Sequence, residues 1–327
     1  MARRPEPAHF RLTRLAPGVH AAIATVDGYG LCNAGIVDLG GESVVFDSML
    51  TPMAGRALAR AAERLTGRTP GWVVNSHWHG DHVWGNPSFV AAHIVSTRRV
   101  REVVIERSRR QFDTDRRAIP AELRRLDAPD GPYDRRDARQ LRAWFRGVLT
   151  APRSLRTVPP DVTFTDELVL EGSRRSLHLV SYGGGHSPSD VFGYLPDERI
   201  VFAGDLALVG YHLSVGDGWP VPWRRILARM RRLRVDTVLP GHGALGTARS
   251  LDDSFRYLGD IASLATSARR RGTALRDLVR TPVPERYARW RFSFMFGENL
   301  ARSYRLLRPR RARPSAGGSG PSGPGAL

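Results

Sequence analysis

The stretch Ser76-His77-Trp78-His79-Gly80-Asp81-His82 gathers three of the chain's ten histidines and an aspartate between positions 77 and 82. It follows directly on the strand-like run GWVVN at positions 71–75. Imidazole and carboxylate are side chains that bind zinc. In a chain of this composition a chance match to His-x-His-x-Asp-His is on the order of one in a thousand, so the cluster reads as a metal site. In an extended segment His77 and His79 project to the same side, where both reach one ion. Gly80 permits a sharp turn, which redirects Asp81 and His82 toward a second ion beside the first.

A zinc ion takes about four ligands, so other parts of the chain must complete both spheres. Three residues stand in equivalent places. His186 follows the run Leu177 to Tyr182 through Gly-Gly-Gly, Asp205 follows Ile200 to Ala203 through Gly204, and His242 follows Thr237 to Leu239 through Pro-Gly. Each lies just beyond the carboxyl end of an expected strand, where open α/β sheets gather their ligand sites.

The set HWHGDH, GGGHSPSD, VFAGDL and VLPGHG resembles the metallo-β-lactamase fold superfamily of hydrolases, over roughly residues 10–250. The resemblance implies an α/β fold, a four-layer αββα sandwich with a two-metal site at one edge of the two sheets. It implies that His77, His79 and His186 bind a first zinc ion, that Asp81, His82 and His242 bind a second, and that Asp205 bridges them. Asp47, in VVFDSM, matches an aspartate that orients the metal-site histidines on their other nitrogen.

Departures from particular branches narrow the resemblance. The branch with a cysteine ligand is disfavoured, because Asp205 holds that position and Cys32, the one cysteine, lies far in sequence from every motif. The ligand set is similar to the glyoxalase II, lactonase and related small-molecule branches. Leu208 stands where the lactonases carry a catalytic tyrosine, and Tyr211 and His212 do not align with it. The expected activity is dinuclear zinc hydrolysis of an ester, thioester, lactone or lactam by a metal-bridging hydroxide, oriented by Asp81 or Asp205. Iron or manganese in place of zinc is the alternative loading. The alternative activities are a phosphodiesterase or nuclease of the same fold and a mononuclear iron enzyme similar to persulfide dioxygenases.

These residues need elements to position them. Runs at 20–24, 32–39 and 43–46, broken by Asp-Gly and Gly-Gly turns, read as strands, and Pro52 opens an Ala-rich helix ending at Gly67. From about 97 to 156 charged helical patterns replace the strands, with breaks at the prolines 120, 129, 132 and 152, which reads as a helical insertion. Strands return at 162–164, 167–170, 177–182, 191–195, 200–203 and 237–239, with a helix at 223–233 and C-terminal helices at about 251–307. Residues 1–307 read as a single domain, and 308–327, rich in Gly, Ser and Pro, as a disordered tail. Between Asp205 and the next helix, the aromatic segment 208–223 offers Tyr211, His212 and Trp219 as pocket wall, the insertion helices offer a lid, and Trp78 and Trp84 flank the metal motif as pocket or core.

The formal charge is +18, and all 50 basic residues are arginine. Such a skew has the look of the coding bias of a GC-rich genome, so the expected partner is a small-molecule substrate rather than nucleic acid. A single cysteine allows no intramolecular disulfide. The N-terminus lacks an apolar signal region and no apolar run approaches the ~18 residues of a membrane span, so the expected location is cytoplasmic.

Overall fold

Two of the short apolar runs, AGIVD and SVVF, are buried on both faces, and such strands need a cover on each side. Neighbouring residues supply the two contacts alternately: Val37, Val44 and Phe46 face one apolar cluster, Ile36 and Val45 another. The computed structural model describes residues 8–128 and 133–307. Among these, the first sheet runs in chain order: β1 (Phe10–Ala16), β2 (Val19–Ala24), β3 (Ala34–Asp38), β4 (Ser43–Phe46), β5 (Trp72–Val74), β6 (His93–Thr97) and β7 (Val162–Phe164). The second contains β8 (Glu167–Glu171), β9 (Ser176–Val180), β10 (Phe192–Leu195), β11 (Ile200–Gly204) and β12 (Thr237–Pro240), in the order β12-β11-β10-β9-β8.

The cluster between the sheets joins Val37, Val44, Phe46 and Val74 to Leu177, Leu179, Phe202 and Leu239. On the outer face of the first sheet lies α1 (Pro52–Thr66), packed through Leu58, Ala61 and Ala62. Its ends follow the sequence signals. Thr51 accepts the Ala54 N–H, Pro52 occupies the first turn, and Gly67 closes the helix at φ 73°. The outer face of the second sheet is covered by α6 (Pro220–Met230), α7 (Ala248–Arg270) and α9 (Met295–Leu306), through Trp223, Tyr257 and Phe296. The short helices α2 (Gly80–Val83) and α8 (Leu275–Leu278) complete the outer elements together with the insertion. The architecture is the expected αββα sandwich.

The insertion contains α3 (Arg98–Val103), one turn of π-helix (Val104–Ser108), α4 (Arg109–Asp127) and α5 (Arg135–Thr150). Its apolar residues share one cluster with Trp78, Val83 and Trp84 from the histidine segment. Several expectations need correction. β1 was not expected, although FRLTRLA alternates apolar and polar residues. Pro120 does not break the chain but sits inside α4, and α6 begins at Pro220, earlier than expected. The breaks at 129 and 132 and the tail 308–327 lie outside the described residues. Among the described residues no helix is long and apolar enough to cross a membrane.

Candidate metal centre

Strand ends deliver the site. β5 leads into Ser76 and His77, β4 into Asp47, β11 into Asp205 and β12 into His242, while His186 follows β9 through the glycine turn, whose Gly185, His186 and Ser187 N–H groups all donate to Asp190. Side-chain nitrogen and oxygen atoms converge there in three overlapping groups: His77, His79 and His186; His77, His82 and Asp205; Asp81, His82 and His242. His79 Nδ1 lies 3.0 Å from His77 Nε2 and 2.9 Å from His186 Nε2. Asp205 faces both outer groups. Its Oδ2 is 3.4 Å from His186 Nε2, while its Oδ1 is 3.4 Å from His82 Nε2 and 3.5 Å from His242 Nε2. Asp81 Oδ2 is 3.2 Å from His242 Nε2 and 3.5 Å from His82 Nε2.

Each imidazole is fixed from behind. His82 Nδ1 donates to Asp47 Oδ2 at 2.8 Å, and Asp47 also accepts the Ser76 N–H and hydroxyl, both at 2.8 Å. Ser76 Oγ in turn stands 2.9 Å from His77 Nδ1, so one buried carboxylate orients two histidines. His186 Nδ1 faces the Ser214 carbonyl and His242 Nδ1 the Leu31 carbonyl, both at 3.2 Å. His79 is the exception in geometry: its Nε2 donates to Asp217 Oδ2 at 3.2 Å, which leaves Nδ1 for the cluster. Such contacts fix the tautomer and aim the free lone pair.

Two glycines are required by contact rather than by turn geometry. A Cβ on Gly241 would fall 1.9 Å from Asp205 Oδ1, so a side chain there would displace the carboxylate shared by both groups. The chain turns at Gly80 as expected, where the His82 N–H donates to the His79 carbonyl at 3.0 Å and α2 begins. What requires the glycine is contact, since a Cβ there would lie 2.3 Å from the Trp84 indole.

The electrostatics fit a cation. Burial drives His77 far below the ordinary imidazole range and His186 to about 4, so both stay neutral with lone pairs available. Burial opposes ionisation of Asp81 and Asp205, but His82 and His242 outweigh it and hold both carboxylates well below their usual range. Against burial, the same carboxylates, with Asp47 beside His82, hold His82 and His242 well above theirs. Among the described residues His82 Nε2 and Asp205 Oδ1 are buried without a hydrogen-bond partner, and an orphaned buried polar atom is costly unless something satisfies it. Imidazole nitrogens with carboxylate oxygens are the donor set of zinc and related divalent ions, so the residues fit the implied metals.

A cavity of about 500 Å³ opens over His79, Asp81, His186, Asp205 and His242. Its other walls come from α4 and α5, the segment 208–214 and residues 292–295. Tyr211 and His212 line it. Trp78, Trp84 and Trp219 do not. Trp84 is buried in the insertion's apolar cluster with its Nε1 donating to Ser108, because the ring must fill the space over Gly80. Trp78, between His77 and His79, packs into the same cluster, with its ring centroid 4.9 Å from that of His79. Trp219 is the N-cap residue of α6, its amide bound to the Gly185 carbonyl. On α4, Asp115 also lines the cavity, and burial pushes its carboxyl up to about 6.

Sequence reasoning missed Ser76, Asp217, Asp190, Asn33 and Asp115. Asn33 donates to the Pro240 and Gly243 carbonyls and pins the His242 turn. Asp190 closes the quoted GGGHSPSD and was legible as an acceptor for the turn it follows. The others carry no local signal. Cys32, distant in sequence, is close in space: its Sγ donates to the Asp81 carbonyl at 2.9 Å. It belongs to none of the three groups.

The model of the metallo-beta-lactamase superfamily matches residues 27–242, which span every one of these ligand positions. The chain belongs to the metallo-beta-lactamase superfamily. A type 2 metallo-beta-lactamase from Bacteroides fragilis is 30% identical over 94 residues, 27% of this chain and 37% of that protein. Among solved structures, a metallo-beta-lactamase from Pontibacter korlensis superposes with a TM-score of 0.56 at 18% identity, covering 76% of this chain and 99% of that one. The stereoselective inverting sec-alkylsulfatase Pisa1 from Pseudomonas sp. superposes at 0.68 with 17% identity, covering 91% of this chain and 50% of that one. At such identities these likenesses speak for the shared superfamily fold.

Proposed function

We propose that this superfamily member is a dinuclear zinc hydrolase that cleaves a carbonyl ester, thioester, lactone or lactam of a small molecule. The position of Asp205 carries this reading, since its two oxygens face two separate groups of ligand atoms. In it His77, His79 and His186 hold one ion, Asp81, His82 and His242 the other, and Asp205 both. When bound, such a pair supplies a hydroxide at neutral pH and a Lewis acid for the carbonyl oxygen.

The chain's own residues do the rest. Asp47 keeps the proton of His82 on Nδ1, and Ser76 does so for His77, which leaves both Nε2 atoms as ligands. Asp81 and Asp205, held ionised, present carboxylate oxygens at the ligand cluster and would orient a nucleophile there. The walls from α4 and α5 set apolar side chains beside the reacting end, and a less polar surrounding strengthens electrostatic interactions there.

The test is metal analysis of the purified protein coupled to a turnover panel of a thioester, a lactone, a β-lactam and an activated phosphodiester. Two zinc ions per chain with cleavage of a carbonyl substrate is the expected result. His79→Ala and Asp205→Ala should abolish turnover with the fold intact, and full activity in either sinks the proposal. One iron per chain would replace it with the dioxygenase-like reading, and cleavage of the phosphodiester alone with the nuclease reading.

A further inference from the structure

The cavity over the metal centre has a composition opposite to that of the chain. The protein has 50 arginines and a formal charge of +18, yet among the described residues no arginine lines this cavity. Its walls are instead apolar and aromatic, with Ile119, Trp144, Phe145, Val148, Phe292 and Phe294 opposite the ligands. Asp115 projects into this space from α4 and makes no hydrogen bond or ion pair with a described residue. Glu122, the other carboxylate of the α4 wall, is already paired to Arg125 at 3.1 Å. The neighbouring Arg291 is equally committed, buried against Asp137 at 2.8 Å.

A site that recognises a distal carboxylate, sulfate or phosphate places a cation or a fork of donors where that group rests. This one places Asp115, a carboxylate with no hydrogen-bond or ion-pair partner among the described residues.

We infer that the pocket takes an uncharged substrate with a bulky apolar or aromatic body, and that Asp115 is a specificity-determining residue that rejects substrates carrying an anion on that body. The inference rests on the hydrolase reading only for the identity of the cleaved bond. Cations at the reacting end attract anions to that end, so the selection concerns the part of the substrate away from the scissile bond.

The experiment uses the metal-loaded full chain and two esters that differ only on the far ring: 2-naphthyl butyrate and its 6-sulfonate. We expect kcat/KM for the neutral ester to exceed that of the sulfonate by about tenfold or more, the scale of one unfavourable charge contact in a partly buried site. Asp115→Asn should shrink that ratio several-fold. Equal or better turnover of the sulfonate by the native chain overturns the inference, and an unchanged ratio in the variant overturns the role of Asp115. If neither ester is cleaved, the scissile bond is decided by the turnover panel and the pocket is read by binding instead. Calorimetric titration with 2-methoxynaphthalene and 6-methoxynaphthalene-2-sulfonate then decides the pocket, where tighter binding of the neutral compound supports it and equal or weaker binding overturns it.

Discussion

Asp47 Oδ2 and His82 Nδ1 stand 2.8 Å apart, and neither side chain is more than 1% exposed. The carboxylate also holds Ser76, and through it His77, so its loss loosens ligands on both sides of Asp205. Outer contacts of this kind are worth about 10–100-fold in metal affinity. Asp47→Asn should therefore weaken both ions by that order, read by competition with a chromophoric chelator. Asp217→Asn, on a more exposed side chain beside His79, should give a smaller loss confined to one ion.

Gly241→Ala tests the shared carboxylate without touching a ligand. The added methyl carbon meets Asp205 Oδ1 and backbone atoms of Gly204. Asp205 must move, so metal content should fall below two per chain while the far-ultraviolet circular dichroism spectrum stays native. Full metal content would show that the strand end yields instead.

The pH dependence of the metal-free protein has a worked sign. His186, lowered to about 4, and His77, lowered well below the ordinary range, both by burial, contribute stability that is present above the ordinary imidazole value and lost as pH falls below it. His82 and His242, raised by their carboxylates, contribute stability that is present below that value and lost as pH rises through their folded values. Thermal unfolding midpoints of the metal-free chain should peak near pH 6.5, the ordinary imidazole value, and fall on either side.

Metal binding should reverse the alkaline limb. A cation at Asp81, His82 and His242 must displace protons from the two histidines, so apparent affinity should fall by about tenfold per pH unit for each proton released. Calorimetry in two buffers of different ionisation enthalpy counts those protons. A heat independent of buffer would mean that His82 and His242 are neutral before the ion arrives.

Arg291 and Asp137 form a buried pair that ties residues 291–292 to α5. Arg291 also donates to the Tyr211 hydroxyl, which donates to Gln140 on the cavity wall. Removing one partner leaves a buried charge uncompensated, which costs about 3–5 kcal/mol. Arg291→Ala should lose that much in denaturant unfolding. It should also raise KM, because Tyr211 and Phe292 both line the cavity.

The sequence by itself determined the set of side chains that could hold a metal and the frame around them. The spacing His77-x-His79-x-Asp81-His82 with His186, Asp205 and His242 at three strand ends was legible because ligand type and strand periodicity are local properties. The orders of β3 to β12 and the helical run at 97–156 were legible for the same reason. Only the tertiary structure decided what surrounds the ligands. Asp217, Asn33 and Cys32 approach the centre across 138, 207 and 49 positions, contacts that no local pattern encodes. It also decided the roles of the tryptophans, since Trp78 and Trp84 flank the motif in the chain but pack in the apolar cluster of the insertion without lining the cavity, Trp78 with its ring 4.9 Å from that of His79. Asp115 shows the same limit. On α4 it reads as one more charge on a helix rich in arginine, and only packing places it inside a cavity over the candidate metal centre that no arginine among the described residues lines.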